Sequence, residues 1–471
     1  MDGMSGMITL FREKMARENL PGLVIDTFEH YYAKLTQGAT GVIYERDIRP
    51  VVRSELASAL DCACYANEGV KALPRTVVIK LNGGLGTTLG LDEPKSLLAV
   101  RGGHTFIDLV FANIKKIAGT YGLAVPVVFM NSFHTHQKTL EHLQRNGYGE
   151  GSLPASFLQH KFPKVLCGTL GPASWPRNPR LEWNPPGHGN IYTALVTSGI
   201  LRQMLDAGKR YAFVSNVDNL GASLDLGLLG YFASRGIAFM MEVVERTAMD
   251  RKGGHLARQS SGKLILREIA QTAPDELDTF QDIRRHAFFN TNNIWLNLER
   301  LDSVLRQTGG VCDLPMIANM KNLDPRDLSS PMVYQIETAM GAAIGIFDDA
   351  DAVVAPRIRF SPVKRSEELL LAWSDYYALD DQCAITFNPR RTLGPIDIRL
   401  DPACYRTIDQ MRERFACGAP SLIDCASLDI RGDVRFGGRV KLTGNVVIEN
   451  RTGRQVLIDN DTHITGGRVF G

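Results

Sequence analysis

The sequence predicts an α/β protein, a mainly parallel sheet followed by a small parallel β-helix. Two observations carry this expectation. From residue 77 onward, short apolar runs alternate with helix-length stretches, the pattern of strands joined by helical crossovers. Beyond residue 428, two apolar positions recur every six residues, the mark of stacked coils. At 471 residues the chain is long enough for two or three domains with sizeable cores.

In chain order, residues 3–70 read as helical. Val24, Phe28, Tyr31 and Leu35 recur at spacings of four, three and four, which makes one apolar stripe, and Pro21 marks its start. Glu29-His30-Tyr31-Tyr32 therefore reads as a packed helix face and not as a site. The run Val77-Val78-Ile79, then Leu81, is bounded by glycines and fits a strand buried on both faces. Strands are expected at 76–81, 125–130, 211–215, 237–243 and 263–269, and helices at 105–118, 134–145, 190–206 and 223–234. Ligands of such sheets sit beyond the carboxyl ends of the strands. The glycine loop after Leu81, then Asn131, then Asn216 to Asp218 all fall at such ends. In the tail, Ile430, Phe436, Leu442 and Ile448 share the six-residue period with Leu428, Val434, Val440 and Val446. It resumes at Ile458, Ile464 and Phe470 after an insertion around Arg451 to Arg454. One coil cannot bury its own apolar face, so the coils stack, a structural or assembly feature before a catalytic one.

Composition excludes several classes. Hydrophobic content of 44%, charged content of 22% and a net charge of +2 give no basic surface for nucleic acid and no disordered tail. No stretch approaches the roughly 18 apolar residues of a membrane span. The start, MDGMSGMITLFREKM, carries acidic residues and lacks a signal-peptide core. A cytoplasmic protein is expected. The eight cysteines are scattered and read as reduced thiols; Cys62-Ala63-Cys64 alone does not make a zinc site.

Residues 77–96, VVIKLNGGLGTTLGLDEPKS, organise the rest. Glycines at 83, 84, 86 and 90 after a strand can present backbone N–H groups to a phosphate, with Lys95 one loop away. The residues alone also fit a plain turn with a solvated lysine. There is no Walker-type G-x-x-x-x-G-K-[ST], and Leu89 stands where a dinucleotide fingerprint needs its third glycine. Further on, Pro185-Pro186-Gly187-His188-Gly189-Asn190 holds a histidine between two glycines, either a turn or a hydrogen-bond donor to a phosphate or sugar. Asp218, directly after an apolar strand, is either a magnesium ligand or a cap for the helix expected from 223. Asn290-Thr291-Asn292-Asn293 precedes the strand-like Ile294-Trp295-Leu296 and should flank the sheet, as a turn or as amides for sugar hydroxyls. Lys364, in Phe360-Ser361-Pro362-Val363-Lys364, reads by itself as a solvated lysine.

Together these blocks resemble a known family. Leu81-Asn82-Gly83-Gly84-Leu85-Gly86-Thr87 with Pro94-Lys95-Ser96 resembles the nucleotide signature of the UDP-sugar pyrophosphorylases, in the spelling of the eukaryotic-type UTP–glucose-1-phosphate uridylyltransferases. The later blocks match that family in order, with Phe157-Leu158-Gln159-His160, Met130-Asn131-Ser132-Phe133, Lys252-Gly253-Gly254, Glu268-Ile269-Ala270-Gln271 and Gln335-Ile336-Glu337-Thr338-Ala339 among them. Asn190 departs from the aspartate of the family's P-P-G-H-G-D, and it suits a helix N-cap equally well. The match runs from about 75 to 377 and again in the tail.

The resemblance implies a nucleotidyltransferase fold of the GT-A/Rossmann-like kind, a mixed, mainly parallel sheet with helices on both faces, ending in a left-handed β-helix. It divides the chain into an N-terminal helical region (1–70), a catalytic domain (71–379) and the β-helix domain (380–471). It implies transfer of UMP from UTP to glucose 1-phosphate, giving UDP-glucose and pyrophosphate. Lys364 and Lys95 would be catalytic, and Asp218 would hold Mg²⁺. Leu81, Asn82, Gly83, Gly84, Lys95, Gln159, Gly187, Asp218 and Lys364 would bind the nucleotide, with Gln159 reading uracil. His188, Asn216, Val217, Asp218, Asn292 and Asn293 would bind the sugar phosphate. No nucleic-acid or membrane partner is implied, and homo-oligomers through the β-helix are expected. The alternatives are a broad-specificity UDP-sugar pyrophosphorylase, a non-catalytic nucleotide-sugar sensor and a hexapeptide-repeat acyltransferase. Retention of Lys95, Asp218 and Lys364 together argues against the sensor, and the repeat is too short for the last.

Overall fold

A computed structural model describes residues 2–149 and 151–471 of the protein. Its centre is an eleven-stranded sheet. Eight strands lie on one path: β1 (Ala57–Ser58), β2 (Thr76–Asn82), β3 (Val127–Asn131), β4 (Ser156–Leu158), β5 (Tyr211–Asn216), β6 (Phe239–Glu245), β7 (Phe288–Asn297) and β8 (Ala350–Val354). In space the order is β1-β8-β6-β7-β5-β2-β3-β4. Every pairing along it is parallel except the two made by β7. Three further strands, Ile48–Pro50, His255–Gln259 and Leu264–Arg267, pair antiparallel beside it.

The apolar run of β2 needs cover on both sides, and it has it. Val77, Ile79 and Leu81 enter one core with Ile191, Leu195 and Leu298, while Val78 enters the other with Phe106, Ile107 and Phe232. This alternation follows from the two-residue period of a strand. The helix Phe106–Tyr121 starts where expected because Thr105 and Asp108 form a capping box, and it stops at Gly122. The stretch expected as one helix over 190–206 is two, Ile191–Thr197 and Ile200–Asp206. Gly199 lies between them at φ 71°, a conformation no helix can continue through.

The expected helical stretch 3–70 is helical over α1 (Asp2–Arg17), α2 (Gly22–Thr36) and Ala66–Ala72, but Ile48–Pro50 and β1 are strands that join the sheet. Both are too short to show a period in sequence. Of the α2 stripe, Val24, Phe28 and Tyr31 are buried with Phe11 and Phe162, while Leu35 packs half-buried against them; Tyr32, outside the stripe, is buried as well. In the tail, parallel strands form one four-stranded and one two-stranded sheet. The repeat positions from Leu428 to Ile464 are buried in a single core, joined by Leu370, Tyr376 and Tyr377 from the preceding segment.

Candidate active site

Loops after β2, β3, β4 and β5 enclose a cavity of about 310 Å³. Leu81, Gly83 and Gly84 enter it from β2, and Lys95 reaches back into it. Met130 lies next to the last residue of β3, and Gln159 follows β4 with its amide against Gly83, where a β-carbon would lie 3.1 Å from it. Pro185, Gly187 and His188 form another part of the wall, and Asn216 ends β5 with Val217 and Asp218 directly after it. The Lys95 ammonium lies 2.7 Å from the Asp218 carboxylate, both largely shielded from solvent.

The second reading of Asp218, a helix cap, does not apply. The next helix starts at Leu226, and its cap is Asp225, whose carboxylate accepts the Leu228 N–H. Nor does Asn190 cap its helix by its side chain. The Asn190 amide oxygen takes the His160 backbone N–H at 2.7 Å instead, which ties the P-P-G-H-G loop to the Gln159 segment.

Gly187 has φ 75° and ψ 174°, open only to glycine, and a β-carbon there would meet the Thr338 carbonyl at 2.4 Å. The loop is pressed on the end of the strand Met332–Thr338, and just beyond it the Met340 N–H donates to His188 Nδ1 at 2.8 Å. An accepting Nδ1 leaves the proton on Nε2, which is 3.4 Å from the Asn292 amide. Burial, then the Lys364 charge, hold the His188 imidazole down to about 4, so near neutral pH it is an uncharged donor. Burial raises the Glu268 carboxyl to about 6 against the pull of Lys364.

These shifts set an acid sensitivity. His160 is also held at about 4 by burial. The unfolded chain protonates both rings near 6.5, so between about 6.5 and 4 it binds more protons and stability rises with pH. Glu268 opposes this: its raised pKa stabilises the fold at low pH, and the effect is lost as pH rises through about 6. His255 and His286 are held down by burial too and act with these rings, so the histidines outweigh the one carboxyl and urea unfolding is expected to show stability falling by about 2 kcal/mol or more from pH 7 to pH 5. A flat profile would mean that the rings take protons freely in the folded chain.

Four residues expected at the site are not on the cavity wall. Asn82 is buried behind the glycine loop, donating to Asn131 and Thr139 and bracing the loop on β3. Asn290 to Asn293 do not flank the sheet; they lie within β7, at a bulge where Glu242 pairs with Asn293 and Val243 with Asn290. A bulge re-aims side chains. Asn292, at φ 61°, approaches His188, while Asn293 is fully buried and donates to Glu242. Lys364 is exposed on the segment after β8, whose Val363 N–H donates to the Asp218 carbonyl. The buried Glu242–Arg359 pair under these loops was missed. A single carboxylate inside the apolar run Phe239-Met240-Met241-Glu242-Val243-Val244 was the signal for it.

A glycine loop, a lysine–carboxylate pair and a neutral histidine at the carboxyl ends of a mainly parallel sheet define a nucleotidyltransferase of the α/β class. The family model described as UTP–glucose-1-phosphate uridylyltransferase matches residues 25–443, and the chain belongs to that family. Among curated relatives, UTP–glucose-1-phosphate uridylyltransferase of Solanum tuberosum is 37% identical over 408 residues, covering 86% of this chain and 83% of the relative. Enzyme 2 of that name from Dictyostelium discoideum is 36% identical over 398 residues, covering 84% and 77%. Among solved structures, a Leishmania major UDP-glucose pyrophosphorylase mutant in complex with UDP-glucose superposes with a TM-score of 0.89 at 37% identity, covering 98% of this chain and 99% of that one. A Trypanosoma brucei structure named UDP-glucose phosphorylase gives 0.86 at 38%, covering 99% and 100%.

Proposed function

We propose that the protein transfers UMP from UTP to glucose 1-phosphate, forming UDP-glucose and pyrophosphate reversibly. The observation that carries this reading is the cavity in which the glycine loop, Gln159, His188 and the Lys95–Asp218 pair meet. A sugar-phosphate oxygen attacks the α-phosphorus in line with departing pyrophosphate. That oxygen is already an anion, so the site needs no covalent intermediate. What it must do is bring two polyanions together and offset charge on the leaving group.

The chain's residues divide that work. Leu81, Gly83, Gly84 and Gly187 line the nucleotide's place, with backbone N–H groups toward phosphate and Gln159 toward uracil. Lys95 and Lys364 offset phosphate charge. His188, through Nε2–H, with Asn216, Val217 and Asn292, holds the sugar phosphate. Asn82 and Asn293 act from behind, through the residues they brace.

Among the described residues no group of three or more His, Cys, Asp or Glu is placed to hold a metal. One carboxylate suits Mg²⁺, which keeps waters and substrate oxygens among its ligands, so Asp218 would hold it with the phosphates. Bound there, it would draw charge from the phosphate oxygens.

For the tail, we read the small parallel sheets as coils of a left-handed β-helix. Ile430 pairs with Ile448, three six-residue repeats on, and Leu442 pairs with Ile464 across the Arg451–Arg454 insertion. The division at 70 and 379, a cytoplasmic location and assembly through the tail belong to the same reading. No described helix is long and apolar enough to cross a membrane.

The test is pyrophosphate release from UTP and Mg²⁺ with glucose, galactose or N-acetylglucosamine 1-phosphate. Release with glucose 1-phosphate, abolished by EDTA, is expected. Comparable release with all three would move the reading to a broad-specificity enzyme, and nucleotide binding without turnover would make it a sensor.

A further inference from the structure

We propose that the buried Glu242–Arg359 pair is a positioning unit that fixes Lys364 relative to Asp218; this rests on the reading of those two residues given above. Glu242 is fully buried in β6. Its carboxylate accepts two bonds from Arg359, at 2.6 and 2.7 Å, one from Trp295 Nε1 at 2.9 Å and one from Asn293 at 3.1 Å. All four directions of the carboxylate are thus used, which fixes the guanidinium as a bidentate fork.

Arg359 then anchors two loops, its own and the one that carries Asp218 into the cavity wall. Its Nη2 donates to the Ser223 carbonyl at 3.1 Å, beyond the Asp218 loop. Its own carbonyl accepts from Asn219 at 3.0 Å, the residue after Asp218. The other side of the Asn219 amide accepts the Ser361 N–H at 2.8 Å. The Leu220 N–H donates to the Ser361 carbonyl, and the Val363 N–H to the Asp218 carbonyl, each at 3.1 Å. The loops are so close that a β-carbon on Gly221 would sit 1.9 Å from the Ile358 carbonyl. This set of bonds ends at Val363; the Lys364 N–H donates separately to the Glu368 carboxylate at 3.1 Å, and its exposed side chain is left to act on His188 and Glu268.

An apolar filling could stabilise this core as well as a buried ion pair does, because desolvation offsets most of the attraction. What an apolar filling lacks is direction. Nine bonds, four on the Glu242 carboxylate and five between the Arg359–Val363 segment and the chain from Asp218 to Ser223, set the distance between a lysine and a carboxylate carried by separate loops.

The test is a double-mutant cycle in the full chain with Arg359→Lys, which keeps the charge and loses the fork. Arg359→Lys is expected to lower kcat on the order of 10- to 100-fold, to change the Kd of UDP-glucose less than about twofold, and to add less than about twofold in a Lys364→Ala background. Should Arg359→Lys not fold, Asn219→Ala runs through the same cycle with the same expectation. Equal losses in both backgrounds, or a wild-type kcat in the single variant, would overturn the proposal. A wild-type kcat for Lys364→Ala alone would sink the site reading itself, and the proposal with it.

Discussion

Lys364→Ala is expected to lower kcat by about 100-fold or more, the loss that follows removal of one preorganised charge partner of a transition state. The side chain is exposed, so folding should not suffer and the unfolding temperature should stay within a degree or two of wild type. Its position is nonetheless specific. It is close enough to His188 and Glu268 to pull both pKa values down, and its loop is bonded to the Asp218 backbone. Loss of the charge should therefore raise the His188 pKa, which imidazole NMR can follow, while turnover falls. A wild-type kcat with an unmoved His188 would return Lys364 to a solvated surface lysine.

Asp218→Asn carries the second large effect. The change keeps size and removes charge, so the loop should persist. Turnover should fall on the order of 100- to 1,000-fold, because the variant loses both the proposed metal ligand and the partner of Lys95. The free protein sets a condition on that ligand: Asp218 is occupied by Lys95 at 2.7 Å. Mn²⁺, followed by its electron paramagnetic resonance signal, should bind wild type much more tightly with UTP present than without it. In Asp218→Asn that difference should vanish. Equal Mn²⁺ binding by both proteins in the presence of UTP would remove Asp218 from the metal's ligands.

Much of this site was legible in the sequence, for a physical reason. Residues at the carboxyl ends of parallel strands are placed by the strands, and strands as apolar as β2, β3 and β5 announce themselves. Leu81, Met130 and Asn216 pair side by side at the carboxyl ends of neighbouring strands, so they had to converge. The tail was legible because stacking repeats one environment every six residues. The rest depends on contacts with no period. Nothing local to Asn292 and Asn293 says that a bulge turns one toward His188 and the other inward toward Glu242. Nothing in Ile48-Arg49-Pro50 announces a strand, since its ladder is made with residues 257–259, two hundred positions away. The split at Gly199 was visible only as a glycine, and a glycine alone does not say whether its φ is positive.

The order of the strands has a consequence for synthesis. β8, residues 350–354, lies between β1 and β6, and the segment carrying Lys364 follows it. A ribosome that has finished β7 has released the glycine loop, Gln159, His188 and Asp218, but not the strand that joins the first edge of the sheet to its middle. Until then Glu242 is a carboxylate in an apolar strand with no arginine to meet it, a costly state for a buried charge. The nascent chain should therefore remain open, sensitive to protease and unable to retain UTP, until about three quarters of it has been made. Closure of the sheet and completion of the site should then occur together.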